Sequence, residues 1–428
     1  MRLYFYRQVA RYLRLFVRQE DVVELISPSE EPLRQLFAGQ KGISDAGDSD
    51  QNLIPPDYIV VSSDVHYQPD IQSFLSVLHA RCAPSTRLIM TYYSSLWRPL
   101  LQLATRLGLR RKTPEQNWVS HEDMENLLKL ADFEIVRVDR KILIPVYIPI
   151  ISWIANRFLA SLPILRHLTL VNLLVARPVL FDGPDDVRPP SVSVVVPARN
   201  EAGNIEGIVQ RLPLMGPEDE LIFVEGNSTD ETWATIQQVA EKYAGKRNIV
   251  VARQEGKGKG DAVRKGFDIA SREILMILDA DMTVSPEELP KFYQAIIRDK
   301  GEFINGSRLV YPMEGKAMRF LNMLANKFFA VAFSFVVGQS FKDTLCGTKV
   351  ITRDNYRRLA NHRSFFGDFD PFGDFDLIFG AARMGLKIVE VPITYKDRTY
   401  GTTNISRWSH GLLLFKMLGF AALRLRFL

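Results

Sequence analysis

Ile274-Leu275-Met276-Ile277-Leu278-Asp279-Ala280-Asp281 sets five consecutive apolar residues directly against a pair of carboxylates. A short apolar run bounded by polar residues reads as a buried strand of a parallel sheet, here spanning Glu273–Leu278. Alternation along the strand sends Asp279 and Asp281 to the same side. Two carboxylates there make an oxygen-rich site for a hard divalent cation, Mg²⁺ or Mn²⁺. Such an ion bridges diphosphate oxygens and neutralises the charge that grows on a departing nucleotide.

The same rhythm continues on both sides of this stretch. Ser191–Val196, Glu220–Glu225, Asn248–Ala252 and Glu302–Asn305 read as strands, and Thr229–Tyr243, Gly260–Ser271 and Pro286–Arg298 as helices. This alternation predicts an α/β fold, a parallel sheet covered by helices, with its ligand at the C-terminal strand ends. The polar signatures fall there. Pro197-Ala198-Arg199-Asn200-Glu201 forms an elbow after the first strand, placed to meet a nucleotide. The second strand ends in Val224-Glu225-Gly226-Asn227-Ser228-Thr229-Asp230, where an acid can accept hydrogen bonds from a base or ribose and Asp230 can cap the next helix. In Gly256-Lys257-Gly258-Lys259-Gly260-Asp261, glycines allow close backbone approach to phosphate and Lys259 adds charge at a helix start. It lacks the Ser or Thr of a Walker loop. Arg308 and Arg398 supply further cations.

Asp182–Pro190, DGPDDVRPP, is polar, rich in proline and unable to continue a helix, which marks a linker. It separates an N-terminal domain, 1–181, from a second domain, 191–406, followed by a basic apolar tail, 407–428. The 428 residues suffice for two cores, and 46% hydrophobic with 24% charged residues is a globular composition. A net charge of +5 suits phosphates or an anionic membrane surface, or an ordinary solvated exterior; no feature points to nucleic acid. Two distant cysteines, Cys82 and Cys346, fit a reducing, cytoplasmic setting. Met1–Glu20 has no uninterrupted apolar core and does not read as a signal peptide. Ile142–Ala155 and Phe328–Phe341 are shorter than the ~18–20 residues of a spanning helix. His410–Leu428 is interrupted by Lys416, Arg424 and Arg426. Each of these three stretches reads either as a membrane-lying segment or as a core helix.

Taken in order, P-A-R-N-E, V-E-G-N-S-T-D-E-T, G-K-G-K-G-D, L-D-A-D, N-G-S-R, D-T-L-C-G-T-K, G-D-F-D-L and E-V-P-I-T-Y-K-D-R-T-Y-G resemble family 2 glycosyltransferases of the GT-A fold. The resemblance spans about Ser191–Asn404 and is strongest to the dolichyl- and polyprenyl-phosphate mannosyl- and glucosyltransferase branch. It implies a hexosyltransferase that takes its sugar from a nucleotide-diphosphate donor, of the GDP-mannose or UDP-glucose type, and inverts the anomeric carbon. It places Pro197, Arg199, Glu201 and Glu225 around the nucleoside. Asp279 and Asp281 fall on the metal with Ala280 between them, and Lys259, Arg308 and Arg398 lie near phosphates. Three positions depart from the pattern. Glu225-Gly226 stands for two aspartates, Thr283 for a metal-assisting glutamine, and Asn404 for a lysine of the lipid-phosphate enzymes, whose charge Lys349 or Lys396 could replace.

In Gly373-Asp374-Phe375-Asp376-Leu377, Asp376 is the candidate general base for a hydroxyl acceptor, and Asp374 a candidate helix cap. For a lipid-phosphate acceptor, Asp376 would instead position the acceptor or balance Arg398. The phenylalanine-rich stretch Gly315–Phe341 matches the region that receives lipid in the polyprenyl-phosphate branch. The resemblance therefore implies a lipid-linked or glycan acceptor and peripheral contact with the cytoplasmic face of a membrane.

In the N-terminal half, Val22–Ile26, Tyr58–Ser62 and Leu88–Tyr92 read as strands, with Ile71–His79 and His121–Leu130 as helices, the latter capped by Ser120. Ala38–Pro56 reads as loop. Segments from Asp57 to Val136 resemble the later half of a class I methyltransferase. The first strand, however, runs into Ile26-Ser27-Pro28-Ser29-Glu30 and not a glycine turn. The expectation is a truncated methyltransferase-like α/β domain that binds no S-adenosylmethionine.

Overall fold

The computed structural model describes residues 2–26, 33, 35, 43–45, 55–108, 117–180, 188–310, 320–361, 363, 373–396, 398, 400 and 407–427. They form two compact units: Met1–Asp182 with Ala422–Leu428, and Gly183–Ala421. Asn404 and the linker residues 182–187 lie outside the described residues.

The first unit is a doubly wound sheet of β1 (Val23–Ile26), β2 (Ile43–Asp45), β3 (Tyr58–Ser62), β4 (Arg87–Tyr93), β5 (Phe133–Lys141) and β6 (Val171–Pro178), in the order β2-β1-β3-β4-β6-β5. The first four neighbours run parallel, and β6 is inserted antiparallel between β4 and β5. Ile59, Val61, Leu88 and Met90 meet Leu75 and Leu128 of helices Ile71–His79 and His121–Leu130 in one core. Ser120 opens the second helix with a capping box: its Oγ accepts from the Asp123 N–H, and the Asp123 carboxylate accepts from the Ser120 N–H. Three strands, β2, β5 and β6, are not among those read from the sequence. β2 is three residues inside a polar stretch read as loop, and β6 follows an apolar stretch with no turn signal of its own.

The tail beginning at 407 is not one segment. Helix Arg407–Ala421 belongs to the second unit, whereas Ala422–Leu428 belongs to the first. There Asp139 accepts from Arg137 Nε at 2.8 Å and from Arg426 Nη1 at 2.5 Å, all three side chains buried. Lys141 Nζ donates to the Arg426 carbonyl at 2.8 Å. Burial pushes the Lys141 ammonium down to about 7, against the opposing pull of Asp139. Burial alone would raise the Asp139 carboxyl, but Arg137 and Arg426 hold it well below its usual range. Of the tail's arginines, Arg426 thus forms an internal ion pair with Asp139, while Arg424 is exposed.

The second unit contains β7 (Val192–Ala198), β8 (Glu220–Glu225), β9 (Asn248–Arg253), β10 (Ile274–Ile277), β11 (Phe303–Ser307), β12 (Lys349–Thr352) and β13 (Ile388–Pro392), ordered β13-β11-β12-β10-β7-β8-β9. β10, β7, β8 and β9 run parallel, and β12 is antiparallel to both of its neighbours. The chain winds outward from β7 through β8 to β9, then returns to the other side of β7 as β10. That reversal opens a crevice at the C-terminal ends of β7 and β10, the usual ligand site of open α/β sheets. Pro197–Glu201 spans the end of β7 and the turn after it, and Asp279–Asp281 follow β10. Helix Lys259–Ile269 packs tightly on β7: a Cβ added at Gly266 would lie 2.3 Å from Val195 Cγ1.

Helix Phe320–Val337 turns Phe329, Phe333, Val336 and Val337 into this unit. Phe333 packs against Phe375 and Phe379 with tilted rings, their centroids 4.8 and 5.7 Å away. Phe328 and Val331 of the same helix, with Leu412 and Phe415 of Arg407–Ala421, stay exposed. The aromatic stretch thus combines a core face with an open apolar one. No helix among the described residues is long and apolar enough to cross a membrane.

Asp139 is the acid that pairs with buried Arg137 and Arg426 beside Lys141 among the described residues, so Asp139→Ala removes a compensating buried charge. Urea denaturation of the variant should show the N-terminal unit less stable by about 3–5 kcal/mol.

Candidate active site

The two carboxylates are not left facing each other. Lys259, the first residue of its helix, reaches Asp279 Oδ1 at 2.5 Å. Arg398 donates from Nη2 to Asp281 Oδ2 at 2.6 Å, and its Nη1 reaches Glu201 Oε1 at 3.3 Å. Five residues from four separated parts of the sequence therefore meet at the crevice. Burial raises the Asp279 carboxyl, but Lys259 first, then Lys349 and Arg308, lower it further than burial raises it. Glu201 is shifted upward by burial, partly offset by Arg398 and by the Asn204 amide it accepts at 2.8 Å.

Local backbone chemistry sets these positions. Met282 takes a left-handed φ of 53°, which tightens the turn after the acidic pair. Thr283 then donates to Asp281 Oδ1 from its N–H at 3.1 Å and its hydroxyl at 2.8 Å. Where the sequence comparison marks Thr283 as a departure, the structure shows it fixing the second aspartate. The Thr283 carbonyl accepts from the Lys396 N–H at 2.9 Å, and Val284 bridges Tyr395, which ties the segment carrying Arg398 to the acidic turn. Gly347 lines the other side. A Cβ there would lie 2.1 Å from Asp279 Oδ2 and 2.4 Å from Lys259 Nζ.

The nucleoside candidates cluster at the ends of β7 and β8. Ala198 is buried and accepts the Gly226 N–H at 2.8 Å, while Pro197 is half-buried and Arg199 exposed. Asn200 is left-handed at φ 57°, and its side-chain oxygen accepts the Thr229 N–H at 2.8 Å, stitching the two loops. Glu225 is buried, accepts the Ser228 N–H at 2.5 Å and stands 3.6 Å from Arg253 Nε. Arg253 lies over the Trp233 ring at 4.2 Å. Asp230 accepts from Thr232 N–H at 3.0 Å, so it organises the start of helix Thr232–Lys242. Ala280 is buried between the acids.

Two expected residues are engaged elsewhere. Arg308 makes a bidentate pair with buried Asp343, at 2.7 and 2.8 Å, and lies over the Tyr395 ring. Its charge reaches Asp279 through the field, while its donors face Asp343. Asp376 accepts from Arg363 Nε at 2.8 Å, and Arg363 also donates to the Tyr356 hydroxyl at 3.1 Å. The charge balanced by Asp376 is thus that of Arg363; Arg398 is paired with Asp281 and Glu201. Asp374 is the first residue of helix Asp374–Arg383, preceded by Gly373 at φ 72°. Packing against Gly260, 2.6 Å from a Cβ at Gly373, brings that helix start beside the Lys259 helix start. Arg363, Asp343 and Gly347 were missed as site residues, although D-T-L-C-G-T-K carries the last two.

Among the described residues no three His, Cys, Asp or Glu side chains gather into a metal cluster. The acidic pair nonetheless fits Mg²⁺ or Mn²⁺, which take one or two carboxylates and complete their shells with water and substrate phosphates. Both side chains are partly exposed, at 26% for Asp279 and 16% for Asp281, and Gly347 leaves the rim beside Asp279 free of a side chain.

The family model described as "Glycosyl transferase family 2" matches residues 193–360. A dolichol-phosphate mannosyltransferase of Pyrococcus furiosus is 28% identical over 50% of this chain and 59% of its own length. The chain thus spans under two thirds of that relative. Glycosyltransferase AglJ of Haloferax volcanii is 30% identical over 53% of this chain and 70% of its own. A dolichyl-phosphate hexose transferase of the same organism is 30% identical over 46% of this chain and 78% of its own. Among solved structures, glucosyl-3-phosphoglycerate synthase from Mycobacterium tuberculosis, with Mn²⁺, UDP-glucose and glycerol 3-phosphate, aligns at a TM-score of 0.40 and 20% identity, covering 55% of this chain and 80% of that one. With relatives 30% identical that are matched over 70% and 78% of their own length, the chain belongs to glycosyl transferase family 2.

Proposed function

We propose that the second unit moves a hexose from a GDP-mannose or UDP-glucose type donor to a membrane-linked acceptor such as polyprenyl phosphate, inverting the anomeric carbon. One observation carries this reading: two adjacent strand-end carboxylates are each held by a cation from a distant segment, at the point where a diphosphate would enter. Lys259 and Arg398 already sit within hydrogen-bond reach of Asp279 and Asp281. On donor binding they would turn from the aspartates to the phosphate oxygens. Asp279 and Asp281 would hold a divalent ion, which would supply Lewis-acid charge to the diphosphate. Glu201 orients Arg398, and Thr283 keeps Asp281 from rotating. Glu225 and Arg199 would meet base and ribose, while Arg308 would add positive field from behind its pair with Asp343.

The acceptor oxygen attacks C1 from the face opposite the departing nucleotide. A lipid phosphate arrives as an anion and needs no proton removed. Asp376, fixed by Arg363, then positions the acceptor. Supporting this acceptor class, the Pyrococcus relative is named for dolichol phosphate and a relative from Mycolicibacterium smegmatis, 29% identical, is named a polyprenol monophosphomannose synthase. The exposed Phe328, Val331, Leu412 and Phe415 offer an apolar approach for a lipid chain. We further propose a place on the cytoplasmic face of a membrane.

The first unit is proposed as a methyltransferase-like remnant that serves as scaffold. Its parallel β2-β1-β3-β4 half with an inserted antiparallel strand supports this, and the sequence after β1 carries Pro28 where a cofactor would need glycine.

Incubation with Mn²⁺, nucleotide sugars and polyprenyl phosphate should give a chloroform-soluble labelled product. Asp281→Ala should lower its formation at least about a thousandfold, and a variant at wild-type rate would remove the metal role. Asp376→Asn should keep turnover within about tenfold; a much larger fall would favour a hydroxyl acceptor that needs a general base. Gly347→Ala forces a methyl group into the Asp279 carboxylate, so calorimetric affinity for Mn²⁺ with GDP or UDP should drop at least about tenfold. Titration with S-adenosylmethionine should give no saturable heat; a micromolar dissociation constant would overturn the remnant reading.

A further inference from the structure

The N-terminal unit carries an apolar surface that its own fold turns outward. Helix Arg98–Arg106 buries none of its residues, and Leu96, Leu100, Leu103 and Leu107, spaced to share one helical face, are all exposed. The neighbouring segment between β5 and β6 shows the reverse of ordinary amphipathic order. Helix Ile151–Arg157 buries Ser152, Ala155 and Asn156, while Ile151, Trp153 and Ile154 face outward. Ile150 and Ile164, before and after it, are 73% and 82% exposed. Trp97 Nε1 donates to the Leu168 carbonyl at 2.8 Å, which joins the leucine helix to this segment.

The inward polar residues hold the arrangement rigidly. Asn156 accepts the N–H groups of Leu143 and Ile144 at 2.8 and 2.9 Å and donates back to the Ile144 carbonyl at 2.8 Å. The Ser152 hydroxyl donates to the Val146 carbonyl and accepts the Ile148 N–H, both at 2.7 Å. Outward isoleucines are therefore a built feature of the fold, held there by hydrogen bonds beneath them. Isolated exposed apolar residues are ordinary, but a contiguous group marks a contact surface.

Charge identifies what that surface meets. No Asp or Glu occurs between Arg81 and Pro114 or between Arg140 and Phe181. Arg98 and Arg106 are exposed on the leucine helix, and the Arg157 guanidinium lies 5.8 Å over the exposed Trp153 ring. Apolar side chains with Trp at the boundary, on segments that carry cations and no acids of their own, suit the headgroup layer of an anionic bilayer. We infer that this face of the N-terminal unit docks in the interfacial layer of an anionic lipid membrane, lying on it without crossing. The inference stands apart from the identity of the sugar acceptor, because docking is read with neither donor nor acceptor present.

The full chain should co-sediment with phosphatidylcholine vesicles carrying about 30 mol% phosphatidylglycerol, with brominated lipid quenching its tryptophan fluorescence. Ile150→Ser/Trp153→Ser/Ile164→Ser should weaken partitioning at least about tenfold, and Leu100→Ser/Leu103→Ser should weaken it independently. All five positions are exposed, and unchanged circular dichroism and GDP or UDP binding would confirm intact folding. Failure of the wild type to sediment, or wild-type partitioning by both variants, would overturn the inference. So would a lipid-free dimer in analytical ultracentrifugation that either variant dissociates, since the face would then belong to a second copy.

Discussion

Two like charges two residues apart at the edge of a buried strand are costly unless cations stand beside them. Asp279 and Asp281 meet that demand with Lys259 and Arg398, residues 20 positions before the pair and 117 after it. Most of the second unit can be read as what brings those two cations into place. The close packing of Gly266 on Val195 sets the height of the Lys259 helix. The backbone bond from Lys396 to Thr283 and the Val284–Tyr395 bridge carry Arg398 back across the sheet. The pair is then held in a fixed arrangement, each carboxylate against its own cation. Preorganisation of this kind is where much of an enzyme's rate enhancement originates.

Elements whose own residues carry their signal were legible in the sequence. β8 and the helices Ile71–His79 and His121–Leu130 match the reading to the residue, because apolar periodicity and a capping serine mark them. The acidic turn was legible for the same reason: a buried strand ends and two carboxylates follow. β12 and β13 were not. β12 is four residues long and antiparallel inside a parallel sheet, so its existence depends on the strands either side of it. Charge pairing was the least legible property. Arg308 faces Asp343, and Asp376 faces Arg363, because tertiary folding brings together residues 35 and 13 apart for which no spacing rule exists.

Thr283 shows how a departure from a family pattern can be read physically. A glutamine at that place has the reach to approach a metal, whereas the shorter threonine bonds back to Asp281 with both its N–H and its hydroxyl. Both donors of Thr283 are spent on one oxygen of Asp281, which fixes that carboxylate. Second-sphere hydrogen bonds of this type orient a ligand and tune its basicity.

The tail and the β5–β6 connection invert each other's expectations. Ala422–Arg426 belongs to a tail whose sequence reads either as membrane-lying or as core, and Arg426 is buried on Asp139. The β5–β6 connection contains prolines and too few apolar residues to span a bilayer, yet it is the part whose isoleucines face outward. The difference lies in where each segment's polar partners are. Asp139 is available inside the unit to neutralise Arg426, so burial of that charge is compensated. In the β5–β6 connection the polar side chains Ser152 and Asn156 are needed underneath, to satisfy backbone groups that no strand or helix pairs. With the inside occupied by hydrogen-bonding residues, the isoleucines have only the outside left. Hydrophobicity counted along a sequence cannot separate these cases; the location of the compensating polar group decides them.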